Sequence, residues 1–133
     1  MAQRPTKDWR QFLEEQEAAV AAGSLDPGSE DAWALRCFPA AFTADVDAVL
    51  TLFERRIERV DLSSHHDVWV SIKDVVTALN SVSERWKLIE TGEREELSQY
   101  IDDALTEAGA DLDAVASRAG IDRSEMTDEW REW

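Results

Sequence analysis

Apolar positions recur three and four apart along most of this chain, the spacing of amphipathic helices with one face turned inward. In KDWRQFLEEQEAAVAAG, Trp9, Phe12, Leu13 and Val20 line one face together with Gln16, and Gly23 stops the run. SLDPGSED then reads as a turn-rich connection, because Pro, Gly and Asp each favour turn conformations for their own reason. A short helical stretch around DAWALRCF follows and ends at Pro39.

Thr43 reads as the N-cap of ADVDAVLTLFERRIERV, with Asp45 and Asp47 early, where the helix dipole favours acids. Val46, Val49, Leu50, Phe53, Ile57 and Val60 form its stripe, and Arg55, Arg56 and Arg59 lie toward its C-terminal end. In DLSSHHDVWVSIKDVVTALNSV, Ser63 or Ser64 is placed to cap a helix whose stripe is Val68, Ile72, Val75, Val76, Leu79 and Val82. Its β-branched residues invite a strand, but alternation fails at Val75–Val76 and the run is too long. The period is lost in SERWKLIE, which predicts a loop with a short extended piece near Trp86 to Ile89.

TGEREELSQYIDDALTEAG predicts a helix capped by Thr91, striped by Leu97, Tyr100, Ile101, Ala104 and Leu105, and closed by Gly109. Asp111 starts DLDAVASRAG, which Gly120 closes, and IDRSEMTDEWREW predicts a last short helix capped by Asp122 or Thr127. The expected fold is all-α: a single compact irregular bundle over residues 1–133, with four main helices and two or three short ones.

Composition changes this picture in one respect. Apolar residues are 44% of the chain, enough for a core, yet 29 Asp and Glu against 14 Lys and Arg leave a net charge of −15. Such a field repels nucleic-acid phosphates and anionic membranes and attracts basic proteins. The one cysteine, Cys37, sits among apolar neighbours with no nearby His to activate it, so it reads as a buried free thiol rather than a nucleophile. The N-terminus has no apolar run behind its basic residues, and no stretch is long enough to span a bilayer. A cytoplasmic protein without nucleic-acid or membrane partners is expected.

The chemistry-bearing constellations are sparse. His65 and His66 are adjacent and point about 100° apart on a helix, which is poor geometry for chelation. Glu93 with Glu96, and Asp103 with Glu107, are helical neighbours that read as solvated faces rather than as a catalytic pair. Five glycines supply no phosphate loop or dinucleotide fingerprint, and DPGSED lacks calcium-ligand spacing. No catalytic residue, metal ligand or cofactor is expected. LDAVASRAGIDRSEM has the outline of a helix-turn-helix, but its second helix is too acidic to meet DNA. The runs ETGEREEL and DEWREW resemble segments of small bacterial proteins and bring no activity with them.

Six tryptophans, at 9, 33, 69, 86, 130 and 133, are far more than ordinary usage, and indoles are enriched in binding hot spots. Trp9 and Trp33 read as core or core edge; Trp130 and Trp133 would share a face of the last helix. That terminal pair either fastens the C-terminus to its own domain or meets a partner. The leading expectation is a non-catalytic acidic binding module, of the kind in which immunity or inhibitor proteins neutralise a basic partner. Trp130, Trp133, Glu129, Asp128, Asp102, Asp103 and Trp86 are its candidate contact residues. A homodimer or other homo-oligomer is the alternative; a small metal-dependent enzyme at the histidines and a helix-turn-helix regulator rank lower.

Overall fold

The computed structural model describes residues 2–133, and among them every regular element is helical. Helix α1 spans Pro5–Ala21, with Pro5 at a first-turn position where a missing N–H costs nothing. Gly23 follows it at φ 77°, a left-handed conformation that side chains disfavour. After a turn capped by Ser29, whose hydroxyl accepts from the Asp31 N–H at 3.1 Å, comes the short α2, Trp33–Cys37.

Helix α3, Ala40–Ile57, starts directly after Pro39 and so three residues ahead of the expected cap. Thr43 is buried inside the first turn, its N–H already bonded to the Pro39 carbonyl, and its hydroxyl finds no partner. The early start seats Phe42, which is fully buried, on the core face of the helix. Ser64 caps α4 as expected, its hydroxyl accepting from the Asp67 N–H at 3.3 Å. The helix, His65–Trp86, then continues through the residues whose period looked lost. Val82 and Trp86 carry the stripe one more turn, and Lys87 ends it at φ 56°.

Helix α5 covers Thr91–Ala108, with Thr91 as its first helical residue rather than its cap, and Gly109 past its end at φ 110°. Helix α6, Leu112–Ala119, is capped by Asp111, which accepts from the Ala114 N–H at 3.1 Å, and closed by Gly120. The expected last helix does not form. Beyond a 3-10 turn at Arg123–Glu125 the chain runs in turns and irregular backbone to Trp133. An isolated segment this short gains little from coiling. Its non-helical course lets Met126, Trp130 and Trp133 pack against the body of the protein one after another.

Polar contacts show how the long helices lie. Asp45 near the start of α3 accepts from Arg85 and from the Trp86 indole at the end of α4, while Arg56 near the end of α3 pairs with Asp74 farther back. The two helices are therefore antiparallel. Helix α1 is antiparallel to α3 by the same test: Arg4 meets Glu54, Thr6 meets Asp47, and Trp9 stacks on Phe42. Helix α5 closes over both, with Tyr100 against Phe53 and Leu97, Ile101 and Leu105 in the shared core.

Candidate functional site

Most large apolar side chains are consumed by this core, which makes the exceptions informative. Phe12 on α1 and Trp33 at the start of α2 are each 40% exposed and touch one another, ring centroids 5.4 Å apart. Both also contact the buried Phe38, which stacks on Trp9 at 5.1 Å. Trp9 in turn stacks on Phe42, and Phe42 meets Trp86 edge-on. The exposed pair is thus the outer end of an aromatic ladder that reaches through the core. A side chain held in this way loses little conformational freedom when a partner covers it.

The charged residues beside that pair are mostly acidic, with Arg36 on α2 the exception. Asp8 and Glu15 are the helical neighbours of Phe12, four residues before and three after, and both are exposed. Glu30 and Asp31 stand exposed just ahead of Trp33. Beneath, the Trp9 indole donates to Glu96 at 3.3 Å, and burial pushes the Glu96 carboxyl above its usual range. Cys37, also in α2, is half-buried, and burial raises its thiol, so it stays protonated and poorly nucleophilic.

A second polar group lies where α1, α3 and α5 meet. Arg4 forks onto Glu54 at 2.7 and 2.8 Å and reaches Thr51 at 2.9 Å, while the Tyr100 hydroxyl donates to Glu54. The Arg4 hydrogen bond holds the Glu54 carboxyl below its ordinary value, and burial pushes the Tyr100 phenol well up. Asp47 gathers Thr6, Arg4 and Arg10 nearby. These groups satisfy one another, which suits a structural junction between helices.

The residues singled out by sequence fall in different places. Trp133 is 8% exposed, its indole N–H donating to the Val76 carbonyl of α4 at 3.2 Å. Trp130 is half-buried and meets Trp69 of α4 edge-on at 5.9 Å. The Asn80 side chain clamps the backbone between them, donating to the Trp130 carbonyl at 2.7 Å and accepting from the Glu132 N–H at 2.8 Å. The two indoles share no helical face, because no helix is there; each docks on α4 separately. Asp102 holds Arg123 by two bonds of 2.7 Å, Asp128 pairs with Arg131, and Asp103 accepts from Gln99. Glu129 is exposed, and Trp86 is half-buried with its indole N–H on Asp45.

The structure therefore does not gather these seven residues into one surface. Sequence reading missed the Phe12–Trp33 pair because both residues look like core positions. One signal was present: Phe12 lies about 60° round the helix from Trp9, at the edge of the stripe. At the histidines, His65 opens α4 half-buried and His66 is exposed, and among the described residues no three His, Cys, Asp or Glu converge to hold a metal. The outline of a helix-turn-helix ends at Gly120, since a 3-10 turn stands where its second helix would be. Among the described residues no helix is long and apolar enough to cross a membrane. No family model matches the chain, and no curated protein or solved structure matches it either.

Proposed function

We propose that this protein is a non-catalytic binding module for a basic protein, anchored at Phe12 and Trp33. The exposure of two touching aromatic rings amid carboxylates is the observation that carries the reading. Buried aromatic anchors with a charged rim are the usual anatomy of a tight interface, in which a few side chains supply most of the binding energy. The net charge of −15 selects the sign of the partner and speeds the encounter. Inhibitor and immunity proteins that neutralise basic enzymes work by the same physics. The terminal tryptophans take the other role that their spacing suggested, as a tether, since Trp133 has little area left to offer.

The test is capture of a basic partner from native lysate by wild type and by the Phe12→Ala/Trp33→Ala double variant, at low and moderate salt. Wild type retains a single protein of high isoelectric point, and the variant, still helical and cooperative in melting, loses it; truncation of one hot-spot aromatic typically costs about 2 kcal/mol or more. Equal capture by both proteins removes the anchor from this site. Leu52, 67% exposed beside the arginines of α3, favours a second reading as a self-associating subunit. A mass that doubles with concentration in sedimentation supports that reading instead.

A further inference from the structure

The ends of α3 and α5, with the turn that follows α3, enclose a cleft of about 550 Å³ that the Phe12–Trp33 face does not use. Its walls are apolar: Ile57, Val60, Leu62, Ala104 and Ala108 line it. Ile57 and Ala104 are core residues, so the cleft floor is part of the protein's interior. Its remaining lining includes Glu58 and Asp61 at the turn, Glu107 on α5, which is engaged elsewhere, and Glu54, and among the described residues no lysine, arginine or histidine lines it. Concave apolar sites of some hundreds of cubic ångströms with a few placed polar groups are the usual form of a small-ligand site.

The acids differ in availability. Glu54 is already held by Arg4 and Tyr100 and has no need of a ligand. Asp61 turns one oxygen, Oδ1, back onto the N–H and hydroxyl of Ser63, which fixes the carboxylate in place and leaves Oδ2 without a partner. Glu58 is exposed and makes no ion pair among the described residues. An apolar well with two usable carboxylates at its side suits a ligand with an alkyl body and a cationic head. It penalises the same body carrying a carboxylate, which would meet the like charges of Glu58 and Asp61.

We propose that this cleft binds a primary alkylammonium group, its methylenes against Ile57, Val60 and Leu62 and its ammonium between Glu58 and Asp61. This goes beyond the protein-binding reading and stands whether or not the Phe12–Trp33 face has a partner. Tyr100, which lines the cleft, is the one tyrosine in the chain, so fluorotyrosine labelling gives a single reporter at the site.

The experiment titrates the labelled protein with butylammonium, hexylammonium, hexanoate and hexanol, following the fluorine resonance. Hexylammonium shifts the signal saturably and binds roughly tenfold more tightly than hexanol, while hexanoate leaves it unmoved. Lengthening the amine from four to six carbons tightens binding about fourfold for each methylene that is buried. Glu58→Gln with Asp61→Asn brings hexylammonium to the level of hexanol, and Ala108→Phe, at an exposed position in the mouth, abolishes both. Hexanoate binding as well as hexylammonium, or no amine response up to about 10 mM, overturns the proposal. Nα-acetyl-lysinamide distinguishes the sources. A response stronger than that to hexylammonium supports the site with a protein side chain as its ligand, and a weaker one supports it with a free amine.

Discussion

Tyr100 illustrates how one residue's surroundings set its chemistry. Its phenol is buried beneath α1 and donates to Glu54, and both burial and the carboxylate oppose its ionisation. Its proton is therefore held far above the ordinary value near about 10. The folded state favours the neutral phenol, so this contribution to stability is complete below about pH 10 and is lost as pH rises above it. In the native protein the ultraviolet signal of phenolate is expected to be absent at about pH 11, and the melting temperature to fall above about pH 10. Tyr100→Phe should flatten that alkaline limb. Phenolate appearing at the ordinary pH in the native state would show that the bond to Glu54 is weaker than its geometry implies. Glu54 has the opposite sign: held low chiefly by Arg4, it stabilises at neutral pH and gives that up as acid protonates it. A pattern of apolar spacing places Tyr100 on the inner face of its helix, but only the approach of α1 and α3 supplies Arg4 and Glu54.

At the scale of elements, the C-terminal segment departs most from its local reading. It behaves as a strap: Arg123 is fixed by Asp102, Thr127 lies 3.2 Å from Ser98 of α5, and Trp130 and Trp133 then reach α4. Arg131 lies over the Trp133 ring, and Lys73 over that of Trp130, which further covers the indoles. Deleting a buried tryptophan costs about 3–5 kcal/mol, and for a chain of this size that moves the melting temperature by roughly 10 °C. Truncation after Asp128 should produce a drop of that order with the helices otherwise retained in circular dichroism. An unchanged melting temperature would refute the strap. The extra turn of α4 belongs to the same scale. Its sequence reads as a loop because Ser83, Glu84 and Arg85 interrupt the stripe, yet Arg85 and Trp86 are drawn in by Asp45 on the neighbouring helix.

For the molecule as a whole, charge is the property with the longest reach. An excess of fifteen negative charges creates a potential that would guide the basic partner proposed above before any contact forms. The association rate should fall by roughly an order of magnitude as salt is raised from about 20 to about 300 mM, with dissociation changing much less. An association rate indifferent to salt would leave the acidic surface as a matter of solubility alone. Arg55 on α3 and Arg59 in the turn after it run against this field, so the polarity of the surface is uneven. By itself the sequence determined the helical class, the body of each long helix, a serine cap at position 63 or 64, the cap at Asp111, the glycine stops and the sign of the field. These follow from a 3.6-residue period, from hydrogen bonds spanning three residues, and from charges that simply add. Tertiary structure decided which aromatic residues stay open, where α4 ends, how the arginines find their acids, and that the last thirteen residues form a strap. Each of those depends on a surface built from residues distant in the chain, and the burial it offers outweighs the weak preference of a short segment for its own helix.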